Sequence, residues 1–117
     1  MYIVLNSDLG MTPGKMASQA CHVVHLIVDE IIRNGLTSIS TPPEFLTYLK
    51  WNNNCTKIIL KASESKLLEL IKMKNVRAFY DSGNTTQVKD GSLTCIGFFP
   101  CTEKEMKNIL DDCKLVG

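Results

Sequence analysis

At 117 residues, with a net charge of +1, 44% hydrophobic and 21% charged residues, the chain has the size and composition of one soluble globular domain (1–117) around a single core. The near-zero charge argues against a protein that coats nucleic acid; five cysteines without a C-x-x-C fit neither a disulfide framework nor a zinc site. The apolar stretch 20–32 is interrupted by His22, His25, Asp29 and Glu30 and is too short to span a bilayer; no positive segment precedes an apolar run, so a cytoplasmic protein is expected.

Residues 2–5 are apolar and β-prone and read as a strand, followed by Asp8-Leu9-Gly10-Met11-Thr12-Pro13-Gly14-Lys15. Thr12 suits an N-cap and Pro13 the first helical position, so the helix starts there and Lys15 falls in its first turn. Met16, Ala20, Val23, Val24, Ile27 and Ile31 then share one helical face to about residue 34, with Gly35 as the expected stop and Cys21 in the core. Lys15, Gln19 and His22 collect on one polar edge beside that face.

Pro42 and Pro43 open a small helix over 44–50, which the Trp51-Asn52-Asn53-Asn54 run ends. Lys57-Ile58-Ile59-Leu60-Lys61 reads as a buried strand, and Ser63 with Glu64 starts a helix carrying Leu67, Leu68, Leu70 and Ile71. A third strand, 76–80, ends at Asp81 in a loop of small polar residues, and a fourth covers 93–99 until Pro100 stops it. Thr102, Glu103 and Glu105 begin a last helix expected to reach about Cys113. The order predicts an α/β fold, a three-layer α/β/α sandwich with a four-stranded mixed β-sheet. Ligands of such sheets bind beyond the carboxyl ends of strands, where the Lys15 turn and the Asp81 loop would converge.

A helix start with Gly14 and Lys15 is a ready anion site, although a capped helix with a solvated lysine accounts for the same residues. Asp81 is a candidate for orienting a water, with an Asx-turn as the structural alternative. His22-x-x-His25 lacks a third ligand at zinc-like spacing. The Gly10 to Lys15 run is one residue short of a Walker loop and has Met16 where a magnesium-binding hydroxyl belongs. Charge is uneven: residues 46–100 carry eight Lys or Arg against four Asp or Glu, which suggests a small anionic partner surface.

These motifs resemble the type II peptidyl-tRNA hydrolases of archaea and eukaryotes. The opening pattern D-L-x-M-x-x-G-K, then A-x-Q-x-x-H, is met by Asp8 to Lys15 with Ala17, Gln19 and His22. The lysine-flanked strand is met by Lys57 to Lys61. The block D-A-G-x-T-Q, then G-S-x-T-x-x-G and a proline, is similar to Asp81-Ser82-Gly83-Asn84-Thr85-Thr86-Gln87, then Gly91-Ser92-Leu93-Thr94, Gly97 and Pro100. Ser82 replaces an alanine, Phe98 and Phe99 replace a glycine-rich ending, and one residue is inserted between Asn84 and Gly91. Either Thr85 or Thr86 therefore matches the family's first active-site threonine, and counting from Asp81 selects Thr85.

The resemblance implies an enzyme that hydrolyses the ester between a peptide and the 3′ end of tRNA, with no metal or organic cofactor, no membrane association and often a homodimer. Its implied catalytic set is Lys15, Asp81, Thr85 or Thr86, and Thr94, supported by Gln19 and His22. Lys15, Lys57, Lys61 and Lys89 would meet phosphates at the acceptor end. Neither Lys15 nor Asp81 is expected to fill the core. The alternative is a catalytically silent homologue acting as a protein-interaction or RNA-binding module; a general RNA-binding protein would be more basic or carry stacking aromatics.

Overall fold

The computed structural model describes residues 1–81 and 91–116. Strand β1 (Tyr2–Asn6) leads through a 3₁₀ turn (Ser7–Leu9) into helix α1 (Pro13–Thr37), and α2 (Pro43–Trp51) follows. Then come β2 (Ile58–Ala62), α3 (Glu64–Leu70), β3 (Val76–Tyr80), β4 (Leu93–Phe98), α4 (Glu103–Met106) and β5 (Lys114–Leu115). The strands form one mixed sheet in the order β3-β4-β1-β2-β5. β1 and β2 pair in parallel, as two successive β-to-α units require, while β4 runs antiparallel to both β1 and β3.

The position of β1 follows from its residues. All five are buried, and they divide by parity. Tyr2 and Val4 join Leu67 and Leu70 of α3 and Met106 of α4, whereas Ile3 and Leu5 join Ala20, Val23, Ile27 and Ile31 of α1. A strand apolar on both sides belongs in a sheet covered on both faces. Gly97 sets how closely α1 approaches: a Cβ there would lie 2.7 Å from Ile27 Cδ1 and 3.2 Å from a methyl of Val23.

Three expectations need correction. The sheet has five strands, not four, because Leu115 and Lys114 pair antiparallel with Leu60 and Lys61. The last helix is one turn long: Lys107 leaves helical geometry with ψ of 134°, and Asn108 takes φ of +72°. Helix α1 also runs through Gly35 to Thr37, and Gly35 serves close packing, since a Cβ would lie 2.4 Å from the Phe45 ring. Among the described residues, no helix is long and apolar enough to cross a membrane.

Candidate active site

Helix α1 begins as its sequence requires. The Thr12 hydroxyl accepts from the Lys15 backbone N–H at 3.3 Å, and Pro13 occupies the first turn. From that first turn the Lys15 side chain runs inward, and its Nζ donates to Asp81 Oδ1 at 2.9 Å across 66 sequence positions. Both residues are buried, at 7% and 4% exposure, which corrects the expectation that neither enters the interior. Backbone bonds on both sides of Asp81 fix its carboxylate at the end of β3: its N–H donates to Ser92 O at 2.8 Å, and its carbonyl accepts from Gly91 N–H at 2.9 Å.

One turn after Lys15, Gln19 is buried as well, and its Oε1 accepts from the Thr94 hydroxyl at 2.7 Å. That hydroxyl also lies 3.1 Å from the Phe79 carbonyl, so Thr94 ties α1, β3 and β4 together at one point. With its proton committed to these acceptors, Thr94 presents lone pairs only. Cys95 completes the contact by donating from Sγ to the Gln19 carbonyl at 3.3 Å. Burial pushes the Cys95 thiol up to about 12, outweighing the opposing influence of the neighbouring Thr94 side chain.

His22 stands apart from this hydrogen-bonded group. Its ring stacks on Phe79, with centroids 4.8 Å apart and planes 18° from parallel, while the residue remains exposed. The helix thus buries Lys15, Gln19, Ala20, Val23, Ile27 and Ile31, whereas Met16 and Val24 are only half-buried. The buried stripe is rotated toward the polar edge, and Cys21, expected in the core, is exposed.

A second buried polar group lies behind the site. Asn6, 1% exposed, ends β1; its Nδ2 donates to Leu93 O at 2.8 Å and to Glu64 Oε1 at 3.1 Å, and its Oδ1 accepts from Asp8 N–H at 3.0 Å. Asp8 Oδ2 in turn accepts from the Glu64 N–H, capping α3 at 2.9 Å. Asn6 therefore anchors the start of β4 one residue before Thr94. Sequence reading passed over this residue, although a lone amide closing a wholly apolar strand is a detectable signal.

The remaining expected contacts are dispersed. Lys57 lies over the Trp51 ring at 5.1 Å and donates to Cys55 O at 3.0 Å. Lys61 lines a cavity of about 470 Å³ with Gly10, Met11 and Pro13, beside the start of α1. Thr85, Thr86 and Lys89 lie outside the described residues. Among the described residues, no group of three or more His, Cys, Asp or Glu side chains is arranged to hold a metal ion.

The family model of peptidyl-tRNA hydrolase PTH2 matches residues 1–116. A peptidyl-tRNA hydrolase of Methanococcus maripaludis is 34% identical over 120 residues, covering 97% of this chain and 96% of that protein. One from Sulfolobus acidocaldarius is 31% identical, covering 99% and 98%. Peptidyl-tRNA hydrolase 2 of Saccharomyces cerevisiae is 31% identical, covering 98% of this chain and 57% of the yeast protein. With the family model matched over residues 1–116 and these relatives aligned over nearly the whole chain, the chain belongs to the peptidyl-tRNA hydrolase PTH2 family.

Proposed function

We propose that the chain cleaves the ester between a peptide, or an N-blocked amino acid, and the 3′ end of tRNA, using Lys15 and Asp81 as the groups that meet the reacting atoms. The observation that carries this reading is the buried 2.9 Å contact between them at the sheet edge where α/β ligands bind. A water oxygen attacks the ester carbonyl carbon, the bond from that carbon to the ribose oxygen breaks, and one water proton ends on the ribose oxygen. The peptide leaves as a carboxylic acid, which ionises in solution. No covalent intermediate is needed.

In this reading Asp81 aligns the water, and the Lys15 ammonium stabilises the developing oxyanion or the terminal phosphate. Gln19 and Thr94 hold the helix against β4 so that Lys15 stays aimed, and Thr85 or Thr86 adds a hydroxyl to water or ribose. Lys61 and Lys89 meet phosphates near the acceptor end, with Lys57, immediately before β2, meeting one farther from the site. The same reading includes one domain of three layers, a cytoplasmic location and a homodimer, the last measurable by light scattering on the eluting protein.

The decisive experiment is incubation of the folded protein with an N-acetylaminoacyl-tRNA, following release of deacylated tRNA. Release is expected. No release across a reasonable span of pH and salt would leave the silent homologue as the correct description.

A further inference from the structure

The stacked pair His22–Phe79 is not used by the chemistry above. We propose that it is the shelf on which the terminal base of the tRNA lies while its ester is held at Lys15 and Asp81; the inference rests on the function proposed above. His22 follows Lys15 by seven residues on the same side of α1, about 10 Å along its axis. Phe79 precedes Asp81 by two residues on the same face of the sheet, about 7 Å along the strand. The ring pair and the ion pair thus lie side by side, one short step apart. That step is comparable with the reach from a ribose 3′ oxygen across the sugar to its base.

Three observations favour a base over a proton as the partner of His22. The ring lies flat on Phe79 at 4.8 Å while the residue stays exposed, so an aromatic surface is held in a fixed orientation without being consumed by the core. Its Nε2 is 3.5 Å from the Ser18 hydroxyl, and two helical turns separate it from Lys15, beyond the reach of proton transfer at the ester. Phe79 is itself fixed through its carbonyl, which the Thr94 hydroxyl contacts, and β3 is the outermost strand, so a nucleotide can approach past the sheet's rim. Stacking a base on such a ring needs no phosphate contact, which suits a chain of net charge +1.

The test compares wild type with His22→Ala, His22→Leu and His22→Phe on two substrates, an N-acetylaminoacyl-tRNA with its terminal adenine and the same molecule with an abasic terminal ribose. On the adenine substrate, His22→Ala and His22→Leu should raise KM about tenfold with kcat lowered less than threefold, and His22→Phe should recover most of the loss, as expected for one stacked base. On the abasic substrate wild type should lose the same factor, and the alanine variant should lose nothing more. Equal behaviour of leucine and histidine, or the same loss on both substrates, overturns the shelf. Failure of wild type to release tRNA at all would instead overturn the function on which it rests.

Discussion

Two ion pairs join the same helix to the same strand, and they are built in opposite ways. At the start of α1, Lys15 meets Asp81 through a single oxygen, with side chains 5% and 3% exposed. Toward its other end, Glu30 meets Arg77 through a two-pronged contact, Nε to Oε1 at 2.8 Å and Nη2 to Oε2 at 2.7 Å, with side chains about one-third exposed. The Arg77 guanidinium also lies 4.9 Å from the Phe99 ring centre, and its bond to Glu30 raises its pKa. For fastening a helix to a strand the second design is superior: the fork is geometrically matched and water still reaches both charges. Burying an ammonium and a carboxylate costs desolvation that an apolar pair would avoid. On the function proposed above, the Lys15–Asp81 pair is kept in spite of that cost because it meets the reacting atoms, whereas Glu30–Arg77 only fastens the helix.

The largest effect that could break this comparison is on turnover. Lys15→Ala and Asp81→Asn should each lower single-turnover hydrolysis of N-acetylaminoacyl-tRNA by about 10² or more, and the double variant should lose less than the product of the two. Each single change also removes a counter-charge from a buried partner and should cost ~3 kcal/mol in urea unfolding. Lys15→Met combined with Asp81→Leu should recover much of that stability while remaining inactive. Recovery of activity along with stability would show that the pair is merely structural.

Arg77→Ala should lower stability by about 1 kcal/mol, as a partly exposed pair allows, with kcat within twofold of wild type. A loss of turnover comparable to that of Lys15→Ala would erase the distinction between the two ends. An effect absent at neutral pH concerns Cys95, which contacts Gln19 and Thr94. Its folded pKa of about 12 lies above the ordinary thiol value of 9.0, so its contribution to stability is fully present below pH 9 and is lost as pH rises from there toward 12. At pH 8 an alkylating reagent should label exposed Cys21 and Cys55 in the native protein and reach Cys95 only on unfolding, as peptide mass mapping would show.

Much of this was legible in the residues. Thr12 and Pro13 announced the start of α1, apolar runs announced β1 and β2, and the rule for strand ends brought Lys15 to Asp81. Periodicity misplaced the buried stripe of α1 because it treats Lys15 and Gln19 as surface residues, whereas partners on β3 and β4 let both be buried. The fifth strand escaped because two residues carry no alternation to detect. The stack of His22 on Phe79 joins positions 57 apart, and no local pattern encodes such a contact.

The central place of β1 governs how the chain must assemble. Its partners across the sheet come 56 positions later, at Tyr2 with Ile58, and 92 positions later, at Val4 with Ile96. Closing loops of that length before any contact rewards them makes the topology one of high contact order, slower to fold than a bundle of equal size. The β1-α1-β2 unit can form first, but until β4 arrives the other edge of β1 exposes unpaired backbone flanked by apolar side chains. Such an edge can recruit strands from other chains. A chain halted before β4 is therefore expected to be an aggregation hazard, since the strand that seals the core also carries Thr94.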